Sequence, residues 1–323
     1  MTERMMRILT ADDLKTALPM PAAIDAMAAA FSALSAGEVE QPLRTRLTTP
    51  HGVTFAMPAY ADGTSALKVA SVYGGNPARG LPVITALVVV LDGKTGRPQA
   101  IIDGTALTAL RTGAASGLAT KLLARPVSEV LGVIGAGGMA PAQIEAVCAV
   151  RPIHLIRIYS PNRAAELVNR LHGINGAEVV QAGSAHDAAF DSDIIITCTN
   201  SPSPVLTRAD VCEGAHINAI GSYTPAMAEL TPALVHDARV FIDQHEAAWA
   251  EAGELIQARD GGLLDPANVH EIGALMRGEI LGRTRPEEIT VFKSVGVAAQ
   301  DLYAATAALI AAEERGIGTL VAL

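Results

Sequence analysis

Val130-Leu131-Gly132-Val133-Ile134 runs without interruption into Gly135-Ala136-Gly137-Gly138-Met139-Ala140, and that junction decides the fold. The first five residues form an apolar run of strand length, and the chain from Ala140 to about Val150 has helical character. Gly135-x-Gly137-x-x-Ala140 therefore sits between a strand and a helix, the context that a dinucleotide-binding loop requires. Gly135 makes the tight turn, Gly137 lets backbone approach a pyrophosphate, and Ala140 allows the helix to pack closely on its strand. Gly138 and Met139 complete the loop and join the candidate cofactor residues.

Downstream, further apolar runs recur at Leu155 to Tyr159, Ile194 to Cys198, His216 to Ile220 and Val240 to Asp243, with helical or loop sequence between them. Alternating β and α elements predict an α/β, Rossmann-type doubly wound parallel sheet. Upstream, Arg125-Pro126 stops an Ala- and Gly-rich helix that follows Arg111, which sets the domain boundary there. Before that helix the pattern changes. Val53 to Ala56, Leu67 to Tyr73 and Val83 to Leu91 read as strands, and Asp92-Gly93-Lys94-Thr95-Gly96 reads as a hairpin turn returning through Gln99 to Ile102. An Ala-rich helix from Val297 to about Glu314 is placed to rejoin this first part. The expected organisation is thus an α+β substrate-binding and dimerisation domain, residues 1–124 with 297–323, and a dinucleotide-binding domain, residues 125–296.

Composition narrows the class. The chain has 323 residues, 50% hydrophobic and 18% charged, with a formal net charge of −9. It is too apolar to be disordered, and it lacks the basic surplus that nucleic acid or an anionic membrane would demand. The longest uncharged apolar run, Leu81 to Leu91, is far short of the ~20 residues of a membrane span, and early charges at Glu3, Arg4, Asp12 and Asp13 leave no secretory leader pattern. A cytoplasmic protein acting on a small molecule is expected. Cys148, Cys198 and Cys212 show neither disulfide nor zinc spacing, so buried free thiols and no metal are expected.

Several residue types suggest chemistry. An acidic residue ordinarily ends the second strand of an NAD site, but here Tyr159 is followed by Ser160-Pro161-Asn162-Arg163. Neutral hydrogen-bonding groups with a guanidinium suit a ribose 2′-phosphate, so NADP(H) is favoured over NAD(H), against the plainer reading of a solvated helix start. Arg44, Arg46, Lys68, Arg79 and Arg111 lie in or beside apolar sequence. Lys68, within Ala66-Leu67-Lys68-Val69-Ala70, is either an edge-strand lysine or a cation facing a cleft. Arg111, placed at a helix start, could present both guanidinium and backbone N–H groups to a carboxylate. The histidines share no spacing, and His216 on an apolar strand reads as structural. Asp243 and Glu254 are weak cleft candidates.

Taken together, Gln41 to Thr45, Met57 to Tyr60, Leu67-Lys68-Val69, Gly80-Leu81-Pro82, Asp103-Gly104-Thr105, Ala109 to Ala115, Gly135 to Ala140, Gly214 to Gly221 and Val291 to Gly296 resemble the ornithine cyclodeaminase/mu-crystallin family over nearly the whole chain. The resemblance implies a homodimer, with Arg44 and Arg111 holding a substrate carboxylate and Lys68 beside the reacting carbon. The cofactor reading also takes in Thr199, Asn200, Ile220, Ser222 and Ser294. Three positions depart from the family pattern. Met139 replaces a glutamine, Val83 replaces a threonine, and Tyr223 stands where cyclodeaminases carry an aspartate for the substrate amine. A phenol supplies no equivalent charge, so ornithine is disfavoured as substrate. Among the activities the resemblance implies, the one that fits is NAD(P)H-dependent reduction of a cyclic ketimine carboxylate, Δ1-pyrroline-2-carboxylate or Δ1-piperideine-2-carboxylate, to L-proline or L-pipecolate. Alternatives are an alanine-type dehydrogenase, a cyclodeaminase in which Glu229 substitutes for the missing aspartate, or a binding protein without turnover.

Overall fold

The computed structural model describes residues 5–322 and separates into two compact units, the chain up to Arg111 together with that from Val297 onward, and Thr112–Gly296. Among the described residues the first unit holds a seven-stranded mixed sheet: β1 (Met5–Leu9), β2 (Thr45–Thr49), β3 (Gly52–Ala61), β4 (Thr64–Val72), β5 (Ile84–Asp92), β6 (Pro98–Asp103) and a C-terminal strand, Thr319–Ala322. From β2 to β6 each strand pairs antiparallel with the next; β1 lies parallel to β6 and antiparallel to the C-terminal strand. Along β3, Phe55, Met57, Ala59 and Ala61 alternate inward, the period of a sheet buried on one face. The helix Ala298–Arg315 covers that face, and the helix Met20–Ser35 packs against that helix in turn, with Met27, Phe31, Ala305 and Ala308 buried. The expected hairpin forms as Asp92 Oδ1 accepts from the backbone N–H groups of Lys94 and Thr95 at 3.1 and 2.8 Å.

The composition of Asp103-Gly104 predicts a turn, with the next helix starting near Arg111. Instead a single helix, Gly104–Leu123, begins directly after β6, with Asp103 Oδ1 accepting from the Ala106 N–H at 2.9 Å. Arg111 is thus about two turns inside the helix, where its N–H is committed to the helical ladder, and only its guanidinium can meet a ligand. The two units divide at Arg111/Thr112 within this helix, upstream of the 124/125 position read from Arg125-Pro126, because the chain does not break between them.

Among the described residues the second unit holds an eight-stranded, wholly parallel sheet, ordered β13-β12-β14-β11-β10-β7-β8-β9. Its strands are β7 (Val130–Ile134), β8 (Leu155–Tyr159), β9 (Glu178–Gln181), β10 (Ile194–Thr197), β11 (His216–Ala219), β12 (Ala238–Ile242), β13 (Val269–Glu271) and β14 (Ile289–Lys293). Strands covered on both faces need continuous apolar sequence rather than alternation, and all four residues of β10 are buried. The chain starts at β7, winds outward through β8 and β9, then returns to β10 on the other side of β7. The strand order therefore reverses between β7 and β10, the switch point at which doubly wound sheets bind ligands.

His216 fills a structural place at the base of this sheet. Asn218 Nδ2 donates to Thr120 Oγ1 at 3.0 Å, which leaves Asn218 Oδ1 to accept from His216 Nε2 at 3.3 Å and the Thr290 hydroxyl to meet Nδ1 at 3.0 Å. Complete burial, reinforced by the Arg283 cation, pushes the imidazole from 6.5 down to about 3. The unfolded chain thus takes up a proton near pH 6.5 that the folded chain refuses until about pH 3, so stability falls as pH drops through that window. We expect His216 to cost about 2 kcal/mol between pH 7 and pH 5. Urea unfolding at both pH values checks this: the loss should shrink in His216→Asn, and an equal loss in the variant would remove His216 as its source.

Among the described residues no single helix is long and apolar enough to cross a membrane, and no group of three or more His, Cys, Asp or Glu side chains is gathered as a metal site would need. The three cysteines are free and half-buried rather than fully enclosed.

Candidate functional site

In the first unit, β4 is an interior strand, hydrogen-bonded to β3 and β5, so Lys68 is not an edge-strand lysine. It is 2% exposed and shares the inward face with Ala66. A lysine so placed needs an anion. Asp301, in the first turn of the C-terminal helix, supplies it, with Oδ2 2.6 Å from Lys68 Nζ. The other oxygen, Oδ1, accepts from Arg111 Nε at 3.2 Å. The neighbouring Gln300 accepts from Arg111 Nη1 at 2.8 Å and from the Val297 N–H at 3.0 Å, both at Oε1. Two donors on Oε1 fix the orientation of the amide, and its Nε2 is left as a buried donor without a hydrogen-bond partner. Arg44 lies one residue before β2, level with Met57, whose partner across β3 and β4 is Lys68; its guanidinium stacks over the Phe55 ring at 5.3 Å.

The structure therefore brings Lys68, Arg111 and Arg44 together, while Arg46 and Arg79 are exposed. Burial is the main force lowering Lys68; Arg111 lowers it further, Asp301 opposes both, and Arg44 adds a smaller lowering. The ammonium is left at about 8. Lys68 and Arg111 thus share the Asp301 carboxylate, with Arg44 near enough to Lys68 to disfavour its charge and the Gln300 amide donor buried beside them. Sequence reading missed Gln300 and Asp301. Their signal was an amide and an acid adjacent in an otherwise Ala-rich helix, where a buried carboxylate has to find a cation.

In the second unit the loop after β7 has the geometry its glycines implied. Gly135 adopts φ +108°, and a Cβ there would stand 2.6 Å from the carbonyl oxygen of Cys198 beyond β10. A Cβ at Gly137 or Gly138 would meet nothing within 4 Å, so the loop borders open space at the start of the Ala140–Val150 helix. That open cradle at a helix N-terminus fits a pyrophosphate. Met139 is the residue capping the helix, and Ala140 is wholly buried. Ser160, half-buried, and Asn162 and Arg163, both exposed, follow β8. Thr199 and Asn200 follow β10, and Ile220 follows β11, so these residues share the C-terminal edge of the sheet with the loop.

Ser222 and Ser294 are placed differently. Both residues are buried, their hydroxyls are engaged within the protein, and the Ser222 carbonyl also accepts from Lys293 Nζ at 2.7 Å. Ser222 Oγ donates to Glu254 and accepts from Lys293 Nζ at 2.7 Å, with Lys293 paired to Glu254 at 3.1 Å. Ser294 Oγ donates to Asp243 at 3.0 Å, and the same carboxylate oxygen accepts from the N–H groups of Val295 and Gly296. Asp243 and Glu254 are thus committed to holding loops. The same is true of Glu229. Its two oxygens accept from the Thr199 N–H at 2.7 Å and the Gly221 N–H at 2.6 Å, tying together the loops after β10 and β11. Burial holds its carboxyl above the usual range despite the Lys293 charge. Both of its oxygens are engaged by backbone N–H groups.

A doubly wound sheet with an open glycine cradle, in a chain that also carries a buried lysine–arginine cluster, defines a dinucleotide-binding protein. The pattern described as the Ornithine cyclodeaminase/mu-crystallin family matches residues 3–314, and the chain belongs to that family. A Δ1-pyrroline-2-carboxylate reductase of Bacillus cereus is 36% identical over 321 residues, 97% of this chain and 98% of the relative. An alanine dehydrogenase of Archaeoglobus fulgidus is 35% identical over 317 residues, 97% of each chain. The structure of Thermococcus litoralis Δ1-pyrroline-2-carboxylate reductase in complex with NADH and L-proline superposes with a TM-score of 0.92 at 36% identity, covering 97% of this chain and 99% of that one.

Proposed function

We propose that the protein is an NAD(P)H-dependent oxidoreductase that reduces a cyclic ketimine carboxylate, Δ1-pyrroline-2-carboxylate or Δ1-piperideine-2-carboxylate, to L-proline or L-pipecolate. The observation that carries this reading is the buried Lys68–Asp301–Arg111 cluster, with Arg44 beside it. The substrate carboxylate accepts from the guanidinium groups of Arg44 and Arg111, which fixes the ring in one orientation. The Lys68 ammonium gives its proton to the ring nitrogen, which takes the C=N electron pair as C2 is reduced. Lys68 is left neutral and regains its proton from solvent. An ammonium held near 8 is protonated at pH 7 yet gives up its proton more readily than an ordinary lysine. When bound, the reduced dinucleotide supplies the hydride.

Relatives of similar identity bear the names of an imino-acid reductase and an alanine dehydrogenase, and ammonia separates the two activities. Following NAD(P)H absorbance with each cyclic imine, and separately with pyruvate plus ammonia, tests the reading. Oxidation with an imine and no ammonia is expected. Turnover only with pyruvate and ammonia would replace it with an alanine-type dehydrogenase, and silence with every substrate would favour a binding protein.

The preference for NADP(H) over NAD(H) rests on Ser160, Asn162 and Arg163, a neutral pair and a guanidinium beyond β8 with no acid to repel a 2′-phosphate. The Thermococcus litoralis relative was solved with NADH, so the preference is a statement about these three residues. Arg163→Ala should lower kcat/KM for NADPH about tenfold and leave NADH nearly unchanged; equal effects on both coenzymes would discard the assignment. We further propose a homodimer. Leu47 (64% exposed), Leu87 (55%) and Val69 lie on the sheet face opposite the helices, an apolar surface suited to a second copy of the chain.

A further inference from the structure

We propose that Asp301 is a positioning residue for the reduction, holding the Lys68 ammonium charged and aimed while also fixing the Arg111 guanidinium, so that removing its charge disables the proton donor without emptying the carboxylate site. The inference rests on the reductase reading above and deepens it.

Geometry is the first ground. One carboxylate serves two cations with separate oxygens, Oδ2 to Lys68 Nζ at 2.6 Å and Oδ1 to Arg111 Nε at 3.2 Å, and it is itself 1% exposed. Such a bridge sets the separation of the two cations, and Gln300 locks the far side of the guanidinium through Nη1. Both residues enter from the first turn of one helix, where the Val297 N–H and the Ala299 N–H are tied to Gln300 Oε1 and Gln41 Oε1. The anchor is therefore rigid.

Charge is the second ground. Arg111 and Arg44 disfavour the Lys68 ammonium, and Asp301 opposes them and the burial. Without Asp301 nothing in the cluster would keep Lys68 charged near neutral pH, and the donor would be lost although Arg44 and Arg111 remained.

The test compares wild type with Asp301→Asn and Asp301→Glu by two measurements. One is titration of the Lys68 ammonium by nitrogen NMR, its signal identified by loss in Lys68→Met. The other is the pH profile of kcat/KM with Δ1-pyrroline-2-carboxylate. Lys68 should titrate near 8 in the wild type and at least one pH unit lower in Asp301→Asn, with the basic limb of activity moving down alongside it, and Asp301→Glu should restore most of the shift. KM for the imine should change less than kcat. An unmoved Lys68 titration in a folded Asp301→Asn protein overturns the proposal. So does a wild-type titration at the ordinary lysine value, a readout that survives if the variant does not fold. Because the titration needs no substrate, an enzyme inactive on imines but with the expected shift would condemn the substrate reading and leave the role of Asp301 standing.

Discussion

Lys68→Met is expected to reduce kcat with a cyclic imine by about a thousandfold, within the range that a positioned proton donor contributes, while NADPH affinity stays within about twofold of wild type. Methionine keeps the length and apolar stem of lysine on an interior strand, so the sheet loses a charge rather than a side chain. Asp301 retains Arg111 as partner, which confines the structural cost to the lower part of the about 3–5 kcal/mol seen when a buried pair loses one member. Steady-state kinetics with a fluorescence titration of NADPH separates the outcomes. Equal losses in turnover and coenzyme affinity would mean that the substitution damaged the protein generally and that Lys68 holds no special place in the chemistry.

Substitutions at two glycines of the loop after β7 should differ in their effect on stability. Gly135 holds a left-handed backbone, and any Cβ presses on the Cys198 carbonyl carbon and oxygen. Gly135→Val should therefore cost about 3 kcal/mol of stability and abolish measurable dinucleotide binding, since the loop must leave the β7–β10 edge to relieve the overlap. Gly137 has ordinary backbone and open space around its Cβ position, so Gly137→Val should leave the urea midpoint near wild type yet weaken NADPH binding by more than tenfold, because the new side chain occupies room meant for phosphate. Denaturation curves and binding isotherms on the two variants decide it. A Gly137→Val protein that binds NADPH normally would show that the cradle is not where the pyrophosphate lies.

Periodicity made much of the fold legible. The parallel sheet was visible because strands covered on both sides must be apolar throughout, as in Ile194-Ile195-Ile196, and the hairpin at residues 92–96 because Asp92 and Gly96 are turn residues with a mechanism. The helix start at Gly104 was hidden: Asp103-Gly104 has the composition of a turn, and only the tertiary path from β6 lets Asp103 act as a cap. β1 and the C-terminal strand were also invisible, since five and four residues at the ends of a chain carry too little pattern to announce pairing across the whole sequence.

The site divided along the same line. Arg44, Lys68 and Arg111 could be suspected because cations stand out in apolar sequence. Their shared anion could not be located, because Asp301 lies more than two hundred residues from Lys68 and its side chain reaches the cluster only through the packing of the last helix on β3 and β4. Asp243, Glu229 and Glu254 showed the converse. Buried acids look like site residues in a sequence, and the structure spends all three on loop backbone, a serine hydroxyl or an internal lysine.

The most direct measurement of the central claim is to supply NADPH deuterated at C4 of the nicotinamide, on each face in turn, with Δ1-pyrroline-2-carboxylate and no ammonia, and to read the product by NMR. The account predicts L-proline with deuterium at C2, from one face only. Unlabelled proline, or labelled alanine formed only when pyruvate and ammonia are added, would contradict it.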